Sequence, residues 1–131
     1  MFNKKKQPPI RSLIAEGSQI DGDFRFVDGL RIDGAVTGVV CANPDMPSIL
    51  VISETATVTG EIHADHIIIN GTVKGPVYAN AMLELQPKAR IQGDVHYTAL
   101  EMHQGAIIAG QLRPMLGDEE KPTLKLAANN G

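Results

Sequence analysis

The chain has 131 residues, 43% of them apolar, with 3 Phe, 2 Tyr and no Trp, and its net charge is −3. This length fits one modest core, and the slightly acidic balance excludes a globally basic nucleic-acid binder. A core without large aromatic side chains must be built from Ile, Val, Leu and Ala, and β-branched side chains favour strands over helices.

The N-terminal segment, residues 1–11, is basic and contains two prolines, and we expect a flexible tail there. Its lysines precede no apolar run of about 7–15 residues, so we expect no secretory signal. The chain contains no run of about 18 apolar residues, so we expect no transmembrane helix. The single cysteine, Cys41, cannot form an internal disulfide, which fits a reducing, cytosolic compartment.

The dominant pattern along the chain is the element apolar–x–Gly–x–apolar, which occurs in six copies. These copies are IDGDF (20–24), VTGVV (36–40), VTGEI (58–62), VKGPV (73–77), IQGDV (91–95) and IAGQL (108–112). Their glycines follow one another at steps of 16, 22, 15, 18 and 17 residues. We expect each glycine to lie on the inward face at a bend, where there is no room for a Cβ atom.

An alternating apolar pair precedes five of the six copies. The pairs are Leu30/Ile32, Leu50/Ile52, Ile67/Ile69, Leu83/Leu85 and Leu100/Met102. The first apolar residue of each copy lies four or six positions after the second residue of its pair. Both offsets are even, so the pair and the copy share one face of an extended chain. The difference of two residues predicts two corner lengths, with the shorter corner at Asp33-Gly34 and Asn70-Gly71.

A period of about 17 residues with short alternating segments predicts a β-solenoid of about six coils, each stacked on the next. A β-sandwich would instead show variable strand spacing and hairpin-type turns. The longest step contains CANPDMPS (41–48), whose two prolines cannot donate to a ladder, so we expect an extruded loop there. We therefore predict a β-helix domain over residues 12–115 and a flexible C-terminal tail over 116–131.

The six glycine copies, the polar flanks and the opening MFNKKK resemble the bactofilins, which are bacterial cytoskeletal proteins. The resemblance covers residues 12–115 and implies an all-β fold, a single right-handed parallel β-helix of triangular section that polymerises without nucleotide and has no cofactor. It also implies a cytoplasmic location peripheral to the inner membrane, with cell-wall enzymes as possible partners and roles in cell shape. The residues that match the family's N-terminal membrane-contact segment are Met1, Phe2, Lys4, Lys5 and Lys6.

The ends of such a solenoid support a polymer on physical grounds. Each end has an unpaired strand edge and an uncovered core unless a segment caps it, and neither tail has the pattern of an amphipathic capping helix. We therefore predict a homopolymer formed by end-to-end stacking. Its interface would comprise Leu13, Ile14, Phe24 and Phe26 in the first coil, and Leu100, Met102, Leu112 and Met115 in the last.

The main alternative is a left-handed β-helix enzyme, either a hexapeptide acyltransferase or a protein like the γ-type carbonic anhydrases. A six-residue rhythm does run through Ile14, Ile20, Phe26 and Ile32, but it ends at Gly38. Steps of 15, 16 and 22 residues also fit strict hexads poorly, and the last fifteen residues give little sign of the extra C-terminal helix that such enzymes usually carry. Coil length alone permits either hand.

The histidines are the strongest candidates for chemistry: His63, His66, His96 and His103. His63 and His66 would point to opposite faces of one strand, which disfavours a shared metal unless a corner lies between them. His63 and His96 each lie three residues after a repeat glycine, so we expect them to stack on the solvent side. No phosphate-loop or G-x-S-x-G pattern is present, and we predict no catalytic, cofactor or metal site and no nucleic-acid partner.

Overall fold

A computed structural model describes residues 7–115, which form sixteen short β-strands arranged as six successive coils. The first coil contains β1 (Ile10–Ile14), β2 (Gln19–Asp21) and β3 (Phe24–Phe26), and the second contains β4 (Asp28–Ile32), β5 (Ala35–Thr37) and β6 (Val40–Ala42). The third contains β7 (Ser48–Ile52), β8 (Thr57–Thr59) and the start of β9 (Ile62–Ile69). The fourth contains the rest of β9, β10 (Thr72–Lys74) and the start of β11 (Val77–Leu85). The fifth contains the rest of β11, β12 (Arg90–Gln92) and β13 (Val95–Tyr97), and the sixth contains β14 (Leu100–Met102), β15 (Ile107–Ala109) and β16 (Leu112–Pro114).

Every strand pairs in parallel with its counterpart in the next coil, so the solenoid has three faces. Face 1 consists of β1, β4, β7, the second parts of β9 and β11, and β14. Face 2 consists of β2, β5, β8, β10, β12 and β15, and face 3 consists of β3, β6, the first parts of β9 and β11, β13 and β16. Faces 1 and 3 join in one sheet because β9 and β11 continue around their shared corner. The predicted all-β solenoid of about six coils is confirmed.

The core consists of columns of aliphatic side chains that point inward and stack from coil to coil. Face 1 contributes the column Ile14, Ile32, Ile52, Ile69, Leu85 and Met102; face 2 contributes Ile20, Val36, Val58, Val73, Ile91 and Ile108; face 3 contributes Phe24, Val40, Ile62, Val77, Val95 and Leu112. The members in the four central coils are almost completely buried. Burying each such side chain stabilises the fold by about 1.5–3 kcal/mol, which makes these columns the main source of its stability.

The repeat glycines form a further column at the corner between faces 2 and 3. Gly38, Gly60, Gly75 and Gly93 have φ between +137° and +149°, a region that L-residues rarely adopt. A Cβ atom at each would collide with the backbone carbonyl of the equivalent glycine in the preceding coil. A side chain at these positions is therefore excluded by the preceding coil, along the stacking axis. The sequence had suggested instead that it would be excluded on the inward face.

The corner between faces 1 and 2 has the two predicted lengths. The longer form closes a turn by a backbone hydrogen bond, as from Ser18 N to Ala15 O (3.0 Å) and from Ala56 N to Ser53 O (3.0 Å). The shorter form lies at Asp33-Gly34 and Asn70-Gly71. A Cβ atom on Gly34 would collide with the carbonyls of the longer corner in the preceding coil, so the short corner needs glycine to nest against it.

The loop in the longest repeat step is shorter than the predicted 41–48. It comprises residues 43–47 and begins with a turn in which Asp45 N donates to Asn43 Oδ1 (2.9 Å). Cys41 was expected in this loop, but it lies in β6 because its register with Arg25 keeps the strand extended through Ala42. Strand β1 also begins at Ile10, two residues before the predicted domain start, while residues 1–6 and 116–131 lie outside the described residues.

Candidate polymer interface

The C-terminal end of the solenoid exposes the inward side chains of its last coil. Met102 and Leu112 continue columns whose preceding members, Leu85 and Val95, are completely buried. In the last coil, however, Met102 is 45% exposed and Leu112 is 48% exposed. Leu100, Ile108 and Met115 are half-buried beside them. Together these side chains form an apolar surface perpendicular to the stacking axis.

The inward side chains at the N-terminal end are less exposed than those at the C-terminal end. Ile14 and Phe26 are buried, and Ile20 and Phe24 are half-buried against the core. Both inward residues of β3 are phenylalanines, whereas the second coil has the smaller Val40 and Ala42 at the same positions. The two ends therefore differ in how far their inward side chains are exposed.

Leu13 departs from its predicted place at the N-terminal end. It is in register with Arg31, an exposed outer residue of face 1, whereas the neighbouring Ile14 points inward. Its side chain, with 57% of the residue exposed, lies on the side of the rod, because alternate residues of a strand point to opposite faces.

Both ends also carry open strand edges. Among the described residues, β1, β2 and β3 each have one ladder partner, in the second coil, and β14, β15 and β16 each have one, in the fifth. At Gly22, the first glycine of the axial column, a Cβ atom would meet no described atom within 4 Å, whereas each later position in the column is closed by the preceding coil. No described residue therefore covers this corner of the first coil.

A family comparison decides which class of solenoid this is. The model of the bactofilin family, described as polymer-forming cytoskeletal, matches residues 12–113. The chain belongs to the bactofilin family. It is therefore a cytoskeletal polymer-forming scaffold, which confirms the resemblance seen in the glycine repeat, and the left-handed β-helix enzyme is not favoured.

One curated relative supports the assignment across most of the chain. Bactofilin BacO of Myxococcus xanthus (strain DK1622) is 23% identical over 111 residues, which cover 85% of this chain and 85% of the relative. No solved structure matched the chain.

The outer surface of face 3 in this bactofilin carries the histidine stack expected from the sequence, with a tyrosine between the two rings. The centroids of His63 and Tyr78 lie 4.5 Å apart, and those of Tyr78 and His96 lie 4.3 Å apart, with nearly parallel planes. His63 Nε2 also lies 2.8 Å from Glu61 Oε1. Tyr78 was missed because no motif marks it, but adding the 15-residue step between Gly60 and Gly75 to His63 would have predicted the stack.

His63 and His66 lie on different faces of the bactofilin solenoid. Both are in β9, but the corner between faces 3 and 1 separates them, and both are half-exposed. His66 Nδ1 is 2.8 Å from Gln7 Nε2, a contact that places the segment before β1 across the fourth coil. The two histidines thus belong to separate surfaces.

Charged pairs connect the last coil of this bactofilin to the one before it. Asp94 Oδ2 accepts a hydrogen bond from Arg113 Nε (2.8 Å), and Asp94 Oδ1 accepts one from the backbone N–H of Gln111 (2.9 Å). These bonds hold the pKa of the Asp94 carboxyl below its usual value. At a short corner, a hydrogen bond from Ser53 and the Arg31 guanidinium likewise lower the pKa of Asp33. Both carboxylates thus accept hydrogen bonds that hold their corners.

The membrane-contact residues Met1, Phe2, Lys4, Lys5 and Lys6 lie outside the described part of the chain. Within residues 7–115, no helix is long and apolar enough to cross a membrane.

Proposed function

We propose that this bactofilin forms filaments by stacking the end coils of its solenoids, without nucleotide. The exposed inward side chains of the last coil, Met102 and Leu112 above all, carry the proposal. Stacking a further coil would bury them as the same columns are buried in the four central coils. It would also pair the open strand edges, which otherwise template non-native association.

The first coil would supply the other contact surface, through Phe24 and Ile20 with Ile14 and Phe26 beneath them. Leu13 on face 1 would stay outside this contact. The end-to-end joint then repeats the geometry of the coil-to-coil joints, so that each solenoid extends the rod by roughly 29 Å at roughly 4.8 Å per coil.

Replacing Phe24 with Arg is expected to break contacts at the N-terminal end, because the guanidinium would be desolvated in the joint. Leu13→Arg is the matched control, since it adds the same charge to the same coil on the outer surface. Negative-stain microscopy should show filaments with Leu13→Arg and none with Phe24→Arg, and far-UV circular dichroism should report a β-rich fold for both. Filaments that persist with Phe24→Arg, or that disappear with Leu13→Arg, would contradict the proposed joint.

Sedimentation of Phe24→Arg and of a second variant, Leu112→Arg at the other end, distinguishes the two possible filament polarities. If first coils join last coils, either Phe24→Arg or Leu112→Arg leaves monomers, because every joint uses both ends. If like ends join, each variant leaves the other joint intact and yields dimers.

We further propose that the filament lies in the cytoplasm on the inner membrane through Met1, Phe2 and the lysines at positions 4–6. The position of Gln7 supports this arrangement. Its side chain contacts His66 in the fourth coil, and the carbonyl of Pro9 lies against Gly29 in the second. The chain before β1 therefore runs along the side of the rod, so a membrane contact there leaves the stacking ends free.

Replacing Lys4, Lys5 and Lys6 with Gln is expected to weaken binding to anionic vesicles by roughly 100-fold per chain, since each lysine near such a surface contributes about 1 kcal/mol. Filaments multiply the effect through avidity. Co-sedimentation with vesicles containing phosphatidylglycerol measures it, and the charge-matched control replaces Lys74, Lys88 and Lys121. Equal pelleting of the two triple variants would refute the membrane contact while leaving the filament proposal intact.

Roles in cell shape, or in positioning cell-wall enzymes, belong to the same proposal and rest on family membership. A filament with many identical copies of face 3 would present a periodic surface suited to recruiting such partners.

A further inference from the structure

Three potential metal ligands converge on the outer surface of face 1, beside the C-terminal end of the rod. Glu84 in β11 and Glu101 in β14 are register partners in neighbouring coils. His103 follows β14 directly. One ligand atom from each residue lies within 4.8 Å of the other two.

The imidazole nitrogen of His103 is positioned between the two carboxylates. His103 Nε2 lies 3.4 Å from Glu84 Oε2 and 3.4 Å from Glu101 Oε2. Although the imidazole is 41% exposed, the Nε2 atom itself is buried and makes no hydrogen bond within residues 7–115. Its contacts with the two carboxylates are longer than well-formed hydrogen bonds, so neither carboxylate satisfies it fully.

These distances match those of a metal centre. In a tetrahedral zinc site with bonds of about 2.0–2.1 Å, ligand atoms are separated by roughly 3.3–3.4 Å. The two nitrogen–oxygen separations have this value, and one oxygen of each carboxylate lies within 4.8 Å of the other. Their mutual repulsion, as like charges in direct register, is the kind that a bound cation removes.

The surroundings hold the ligands in place. Gln86 Nε2 donates a hydrogen bond to Glu84 Oε2 (2.8 Å) and fixes that carboxylate. The backbone N–H of His103 donates to Leu85 O (2.8 Å), and Ala106 N donates to His103 O (3.2 Å), so the histidine lies in a closed turn. Outer partners of this kind orient ligands in metal sites. In the described part of the chain, Glu84 and Glu101 form ion pairs with His103 only.

We propose that Glu84, Glu101 and His103 bind a divalent transition-metal ion of the Zn²⁺ type, with water completing its coordination. The imidazole favours such an ion over Mg²⁺ or Ca²⁺, which prefer oxygen ligands alone. The bound ion would join the last coil to the fifth beside Met102. This site goes beyond the filament function, and it departs from the expectation of no metal site.

The test measures Zn²⁺ bound to the full-length chain by equilibrium dialysis at pH 7.5, with Mg²⁺ as a competitor. We expect His103→Gln and Glu101→Gln each to weaken the binding of one Zn²⁺ per chain by at least tenfold. The control is His63→Gln, which removes a histidine with one carboxylate neighbour, Glu61, and should bind as the wild type does.

Thermal unfolding provides a second readout that separates metal binding from folding. Zn²⁺ should raise the Tm of the wild type and of His63→Gln but not that of Glu101→Gln. In EDTA, Glu101→Gln should melt at or above the wild-type temperature, because it removes the repulsion with Glu84. Absence of Zn²⁺ from the wild type, or equal binding by His103→Gln, would overturn the proposal and leave a histidine–carboxylate ion pair in its place. Electron microscopy of filaments in EDTA tests polymerisation separately from metal binding.

Discussion

Leu112→Arg is expected to abolish filaments while leaving the solenoid folded. Leu112 is half-exposed at the last position of a column that is completely buried one coil earlier, so its substitution costs the isolated chain little. In a stacked joint, however, the arginine would be desolvated against the apolar surface of the next solenoid. The cost of burying an unpaired charge is several kcal/mol, and each 1.4 kcal/mol weakens a contact about tenfold.

Ile107→Arg is the matched control for this substitution. Ile107 is in the same coil and is 53% exposed, but it is in register with the exposed Arg90 and lies on the outer surface of face 2. Size-exclusion chromatography and electron microscopy should show filaments with Ile107→Arg and only small species with Leu112→Arg. Filaments of normal length with Leu112→Arg would exclude the last coil from the joint.

Gly60→Ala is expected to be strongly destabilising. Gly60 has φ +144°, and a Cβ atom there would overlap the carbonyl oxygen of Gly38 in the preceding coil. Backbone strain of about 1–3 kcal/mol adds to overpacking of about 1–3 kcal/mol, and the rigid ladders on both sides prevent the coils from separating. Chemical denaturation followed by circular dichroism measures the loss.

Gly22→Ala separates backbone strain from overpacking as causes of the destabilisation. Gly22 lies at the same corner of the first coil with φ +130°, but a Cβ atom there would meet no described atom within 4 Å. In monomers it should show the strain alone, so that Gly60→Ala is more destabilising than Gly22→Ala by about 1–3 kcal/mol when both variants are compared as monomers. Equal losses would mean that strain, and not close stacking of the coils, requires the glycines.

Most of the fold could be predicted from the sequence, because residues that are one repeat apart in a solenoid are neighbours in adjacent coils. Each inward column follows from adding one coil length to an apolar residue, as from Val58 to Val73. The two corner lengths were visible as even offsets of four and six residues. The direction in which glycine lacks space could not be predicted, since it depends on how closely the carbonyl of one coil approaches the next.

The ends and the outer surface were less predictable, for physical reasons. Leu13 and Ile14 are adjacent and both apolar, so only the register of β1 shows that Leu13 lies outside. The inward side chains at the N-terminal end are less exposed than those at the C-terminal end, and the repeat pattern does not show this because it marks residues only as apolar. The cluster at His103 was missed because Glu84 is 19 residues away, although one step of 17 residues connects Glu84 to Glu101.

Cryo-electron microscopy of the full-length protein, assembled without nucleotide, tests the central claim most directly. If solenoids stack end to end, strands should lie across the filament with an axial spacing of roughly 4.8 Å. The subunit repeat should be roughly 29 Å, or roughly twice that if alternate subunits reverse direction. Filaments whose strands run along the filament axis, or a monodisperse monomer at high concentration, would contradict it.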